Sequence, residues 1–312
     1  MDLLIGIDGG GSKTNCLLSD KGMNIISKSA GGPTNFISIG MDKAVDNAVE
    51  VIRKSFNLVD VINSKLVSVV IATAGAGRKN DAFEFGYRVK DKLENIIAVE
   101  EMNVVTDAEA ALEGALDGED GVVVICGTGS IVFAKDKSGE HFRSGGLGKI
   151  LGDEGSGHSL GLKGLSLVSK ELDGQKINTK LTSHVMSRYK IADIHQLINH
   201  VYKGAPEYSE IGIEVINCAA DGDAACLNLI DKEISELVNQ IESVSMKIKK
   251  DDFKISLLGG LIENHLFYKE LIKKKLYETF IGIQVIEPIN KPEYGALIIA
   301  QKMIINNNKT KN

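Results

Sequence analysis

The feature that most constrains this chain is that it repeats itself. Two stretches, Leu3–Asp20 (LLIGIDGGGSKTNCLLSD) and Gly121–Lys135 (GVVVICGTGSIVFAK), share one design. Each is an apolar run, a turn of glycines and hydroxyls, and a second apolar run. Each is followed by Asp-Lys and a reverse turn, at Asp20-Lys21-Gly22 and at Asp136-Lys137-Ser138-Gly139. Apolar runs of this length bounded by glycines are strand-like, so both stretches predict β-hairpins. An internal repeat speaks to architecture, and here it predicts two related domains that each open with a hairpin. Glycines at such a turn let backbone N–H groups approach an anion closely. The copies differ at one position of consequence. Asp8 ends the first apolar run where Cys126 ends the second, so only the first carries an acid suited to the metal of a polyphosphate.

Two common phosphate motifs do not fit. A P-loop needs G-x-x-x-x-G-K-[ST], and Lys13 here follows Ser12. A dinucleotide fingerprint leads into a helix, whereas Asn15–Ser19 is another strand-like run. Whatever this turn binds, it binds between two strands.

With 312 residues the chain can build a large core and two domains. A net charge of −6 argues against nucleic-acid or anionic-membrane partners, yet local N–H groups can still bind ATP. No signal peptide fits the short, acid-containing apolar start, and no run approaches transmembrane length, so a cytoplasmic protein is expected. Cys16, Cys126, Cys218 and Cys226 form no C-x-x-C pair, which suits reduced, buried thiols. The histidines offer no i, i+4 metal pair.

Along the chain, Ala30–Asn35 (AGGPTN) reads as an irregular loop in which Thr34 and Asn35 offer side-chain hydrogen bonds. A helix is predicted over residues 41–56, then a strand buried on both faces over Leu66–Thr73, ending in the loop Ala74-Gly75-Ala76-Gly77-Arg78. A short strand, Val104-Val105, ends at Thr106-Asp107, with a helix over residues 108–116. Strands alternating with helices, with loops at strand ends, indicate an α/β sheet. Asp107 sits where a general base would sit, or where an N-cap would. A third glycine region, Ser144–Gly157 (SGGLGKILGDEGSG), precedes a helix over residues 158–170 and suggests a substrate loop, with Asp153 and Ser156 as candidate caps. Residues 174–255 read as mostly helical and carry no evident chemistry. The strand Ile255–Leu258 ends in Gly259-Gly260, where a nucleotide could approach closely, a helix follows over 264–276, and Pro292 begins a last helix.

Taken in order, IDGGGSKT, TDAEAA, CGTGS, GGLGKILGDEGSG, LLGG and PEYGA resemble the N-acetylglucosamine kinase and BadF/BadG/BcrA/BcrD ATPase group of the actin–Hsp70–sugar kinase superfamily. The resemblance spans residues 3 to about 300. It implies an α/β fold of two ribonuclease-H-like (actin-like ATPase) domains with a central cleft for ATP and sugar. The expected division is residues 1–117, with a C-terminal helix over 293–308 packing back on them, and residues 118–292. It implies phosphate contacts from Gly10, Gly11, Ser12 and Lys13 and from Gly127, Thr128 and Gly129, with Gly259 and Gly260 at the adenosine. Asp8 would orient Mg²⁺, and Asp107 would accept the proton of a sugar 6-hydroxyl. Asn35, Thr34, Gly75, Thr128, Gly145, Gly146, Asp153 and Gly157 would contact the sugar, and the working form would be a homodimer.

The resulting expectation is ATP-dependent phosphorylation of an amino sugar at its 6-hydroxyl, N-acetylglucosamine foremost and N-acetylmuramate as well. Relatives in the mammalian branch carry Trp where Leu147 stands, and the smaller side chain would leave room for a bulkier 3-substituent such as the lactyl ether of N-acetylmuramate. A glucosamine or glucose kinase is the near alternative. An ATPase activator of a CoA-ester dehydratase or reductase is the rival of another class, but its iron–sulfur cluster needs four convergent thiolates that this spacing does not suggest. A sugar-sensing repressor would want a DNA-binding module before the first hairpin.

Overall fold

The computed structural model describes residues 1–204, 206–249 and 252–310; side chains at 58 and 306–310 lie outside that description. The chain divides into two compact units, Met1–Glu119 with Pro288–Asn312, and Asp120–Glu287.

In the first unit, β1 (Asp2–Gly9), β2 (Thr14–Asp20) and β3 (Ile25–Gly31) form an antiparallel meander. The strand β4 (Lys65–Thr73) then lies parallel to β1, and β5 (Ala98–Val99) and β6 (Met102–Val105) lie parallel to β4. The predicted loop Ala30–Asn35 therefore starts later than its composition suggests, because Ala30 and Gly31 pair with Asn15 and Thr14. Every residue of β4 after Lys65 is buried, as a strand covered on both faces must be. One face packs Leu66, Val69 and Ile71 against α2 (Met41–Ser55) and α3 (Lys79–Glu94). The other packs Val70 and Ala72 against α4 (Asp107–Ala115) and α12 (Pro292–Thr310). The approach of α12 is very close. A Cβ on Gly6 of β1 would lie 2.5 Å from both the Glu293 carbonyl and the Leu297 amide, so only glycine admits the helix here.

The second unit repeats the plan. Strands β7 (Gly121–Cys126), β8 (Ser130–Lys135) and β9 (His141–Gly145) form the meander, and β10 (Lys254–Leu258) and β11 (Gln284–Ile286) add in parallel. The strand orders β3-β2-β1-β4-β5 and β9-β8-β7-β10-β11 match, as two ribonuclease-H-like units should. Between β9 and β10 lie α5 (Gly157–Leu172), α6 (Lys180–Tyr189), α7 (Ile194–Lys203), α8 (Tyr208–Ala220) and α9 (Ala224–Ile248). The helix expected over 264–276 is α11 (Leu266–Thr279), and a separate short helix, α10 (Gly260–Asn264), precedes it because His265 (φ −125°, ψ 85°) leaves the helical region between them. No described helix is long and apolar enough to cross a membrane.

Candidate active site

In the first unit the acids gather at the carboxyl ends of parallel strands. Asp8 of β1 and Val105 of β6 both register with Ala72 of the intervening β4, so Asp107 starts its helix at the level where β1 ends. The N-cap of α4 is Thr106, whose hydroxyl accepts the Glu109 N–H at 3.2 Å. Asp107 therefore does not cap the helix by the usual bond. Its Oδ1 accepts the adjacent Ala108 N–H (2.9 Å), and the residue is exposed although desolvation by the surrounding protein raises its pKa. Asp8 is half-buried. Burial first, then the nearby carboxylates of Glu293 and Asp107, push its carboxyl up to about 6, with Lys13 opposing them. Negative charge piled on one half-buried acid suits a divalent cation. No group of three or more candidate ligands capable of holding a metal occurs among the described residues. That combination fits Mg²⁺, which usually keeps several waters and takes one or two carboxylates plus substrate phosphates.

The turn between β1 and β2 runs from Gly10 to Lys13, closed by Gly10 N–H donating to the Lys13 carbonyl at 3.0 Å. Gly11, Ser12 and Lys13 are exposed. Thr34 is different from expectation. It is fully buried, its Oγ1 lies 3.1 Å from Thr14 Oγ1, and it fills the space beside Gly9, so its hydroxyl serves the core. Asn35 is half-buried and caps the short α1 (Phe36–Ile39), accepting the Ile37 N–H at 3.1 Å through Oδ1. Gly75 lies against the side chains of Phe36 and Ile37.

In the second unit the turn Gly127-Thr128-Gly129 and the pair Gly259-Gly260 lie side by side at the ends of β7 and β10, where Ile125 registers with Leu258. Gly259 has φ +97°, and a Cβ there would sit 2.3 Å from the Cys126 carbonyl oxygen. Gly259→Ala should therefore destabilise the protein by about 2–4 kcal/mol, through strain and overpacking together. A thermal midpoint within a degree of the parent's would contradict this. Thr128 is exposed, whereas the carbonyls of Gly127 and Thr128 accept N–H groups from Gly157 (2.9 Å) and His158 (3.1 Å). Gly157 is thus a buried anchor of the turn. The copies also part at the hydroxyl. Ser12 sits in an exposed turn, while Ser130 lies in β8, buried, its Oγ donating to the Glu154 carbonyl at 2.6 Å. Cys126 is buried and its thiol is pushed up to about 12, so this copy is apolar where the first carries Asp8.

Asp153 is 7% exposed with φ +67°, and its carboxylate stands against Gly129. Burial raises its pKa, while N–H groups of Ser130 and Gly148 hold the charged form. Of the two candidate caps of α5 only Ser156 acts, accepting the Ser159 N–H at 3.1 Å. Gly145 ends β9 beside Gln240, Gly146 lies beside Ile131, and Leu147 is 53% exposed. Three residues not singled out from the sequence stand close to these groups: Glu293 near Asp8 in the first unit, and Glu233 and Tyr268 on Gly155 in the second. Only Glu293 had a local signal, the PEYGA segment at a helix start.

A profile of the BadF/BadG/BcrA/BcrD ATPase family matches residues 5–300. The N-acetylmuramic acid/N-acetylglucosamine kinase of Clostridium acetobutylicum is 30% identical over 306 residues, covering 96% of this chain and 99% of the relative. The N-acetyl-D-glucosamine kinase of Dictyostelium discoideum is 28% identical over 314 residues, covering 96% and 98%. A Chromobacterium violaceum crystal structure, provisionally named an N-acetylglucosamine kinase, aligns with a TM-score of 0.75 at 22% identity, covering 96% and 98%, and shows the shared fold.

Proposed function

Because the chain belongs to the BadF/BadG/BcrA/BcrD ATPase family, we propose that it transfers the γ-phosphate of ATP to the 6-hydroxyl of N-acetylglucosamine and of N-acetylmuramate. The observation that carries this reading is Asp107, an exposed residue at a strand end, released from capping by Thr106 and level with the acid Asp8. The 30% identity to a kinase named for both sugars supports the substrate pair.

In this reading Asp107 accepts the proton of the 6-hydroxyl as that oxygen attacks the γ-phosphorus. The bond to the leaving oxygen of ADP breaks, and the sugar leaves as its 6-phosphate. The turn Gly10–Lys13 supplies N–H groups and an ammonium for phosphate oxygens, and Gly127–Gly129 supplies a second cradle with the Thr128 hydroxyl. Gly259 and Gly260 leave room for the adenosine. Asp8 would hold Mg²⁺, with Glu293 adding negative charge; such an ion neutralises phosphate charge when bound. Asp153, with Asn35, Gly145 and Gly146, would orient the sugar. Four free, buried cysteines suit a reducing cytoplasm, and we take the working form to be a homodimer on the family likeness.

Coupled ADP release with N-acetylglucosamine, N-acetylmuramate, glucosamine and glucose tests the assignment. Turnover is expected on both N-acetylated sugars at comparable kcat/KM, with glucose and glucosamine at least about tenfold poorer because the acyl contacts are lost. Activity on N-acetylglucosamine with none on N-acetylmuramate would remove the larger substrate. A preference for glucosamine would overturn the N-acetyl assignment.

A further inference from the structure

The second unit holds a buried polar network that the reaction as described does not use. Glu233 of α9 is 1% exposed and Tyr268 of α11 is fully buried. Both hold the same residue, Gly155. Glu233 Oε2 accepts the Gly155 N–H at 3.0 Å, and the Tyr268 hydroxyl donates to the Gly155 carbonyl at 2.7 Å. The same Oε2 accepts from Ser159 Oγ at 2.6 Å, and Oε1 pairs with the Lys163 ammonium. A carboxylate and a phenol this deep are costly unless fully bonded, so the network strongly prefers one geometry.

What it holds is a short segment with a partner at almost every position. Asp153 stands against Gly129, the Glu154 carbonyl accepts from Ser130, and Ser156 caps α5. Gly157 and His158 donate to the carbonyls of Gly127 and Thr128. Gly155 is the midpoint of this segment, and helices from 78 and 113 residues further along fix it on both its polar groups.

We infer that Glu233 and Tyr268 are positioning residues. They set the Asp153 carboxylate, and with it the Gly127–Gly129 turn, in the geometry that binds the sugar and receives the phosphate. The inference rests on the reading that Asp153 contacts the sugar.

Tyr268→Phe keeps the ring and removes the clamp on the Gly155 carbonyl. The expected result is a KM for N-acetylglucosamine raised about tenfold, the scale of one lost buried hydrogen bond, with a smaller change in the KM for ATP. Ile272→Val in the same helix is the stability control. Ile272 is also fully buried, and trimming it lowers the melting temperature without touching Gly155, so its sugar KM should match the parent's. Equal sugar KM values for the two variants would overturn the inference. If Tyr268→Phe does not fold, Ser159→Ala, which removes one bond to Glu233, is read in the same way with a smaller rise expected. Asp153→Asn separates the two levels. A raised sugar KM there with none in Tyr268→Phe defeats the positioning role alone; an unchanged KM defeats the reading of Asp153, and the inference falls with it.

Discussion

Replacing Asp107 by Asn lowers turnover by about two to four orders of magnitude, the usual contribution of a general base. The affinity for ATP should change little, because the amide keeps the shape and the phosphate turns are elsewhere in the chain. The substitution should also cost little stability. Thr106, not Asp107, caps α4, so Thr106→Ala is the change expected to cost about 1 kcal/mol of helix stability. This pair separates chemistry from folding: one variant loses rate and keeps its melting temperature, and the other moves mainly in the melt. The pH profile gives a second check. Desolvation by the surrounding protein raises the Asp107 pKa, so the acid limb of kcat/KM should lie above the value of an unperturbed aspartate and should vanish in the variant's residual rate. Near-parent turnover in Asp107→Asn would refute the base assignment.

Replacing Asp8 by Asn should lose activity and gain stability at once. Activity falls by about two orders of magnitude at a fixed metal concentration, and saturating Mg²⁺ restores part of it, because one charged ligand has gone. The stability change follows from proton linkage. Folding raises the Asp8 pKa from 3.8 to about 6, so between those values the folded chain holds a proton that the unfolded chain has released. Stability therefore falls as pH rises through that window, and the whole cost is present above about pH 6. The full shift corresponds to about 3 kcal/mol, reduced to about 1–2 kcal/mol by the group's partial access to solvent. Asp8→Asn removes that cost, so its advantage in urea midpoint should be largest at pH 8 without metal and absent below pH 4. Glu293→Gln should give part of the same gain, since Glu293 is the strongest of the charges that raise Asp8. An Asp8→Asn protein with parent stability at both pH values would show that Asp8 bears no such strain.

The repeat and its consequences were legible in the chain. Hairpins end in glycines because strands must turn, and parallel strands buried on both faces must be continuously apolar. These local rules located β1, β2, β4, β7, β8 and β10, the two turns, and the junctions at Asp107 and Gly259. They misjudged the details that long-range partners decide. Thr34 looks like a ligand contact in a loop, yet its partner Thr14 is across the sheet and the pair is buried. Asp153 and Ser156 are equally plausible caps by sequence, and only the path of the preceding loop makes Ser156 the cap. Ser12 and Ser130 align letter for letter, but the first hairpin turns through four residues and the second through three, which moves Ser130 into the strand.

The sequence by itself determined that there are two hairpin-led units, because apolar period and glycine punctuation act over a few residues. It also marked which unit carries the acid, since Asp8 and Cys126 occupy matching places. Only the tertiary structure decided what surrounds those places. Glu293, almost three hundred residues after Asp8, reaches it because Gly6 has no Cβ to hold α12 away. Glu233 and Tyr268 reach Gly155 because α9 and α11 pack behind the glycine loop. No local pattern encodes such meetings, because the energy that makes them comes from burying whole faces of helices against a sheet.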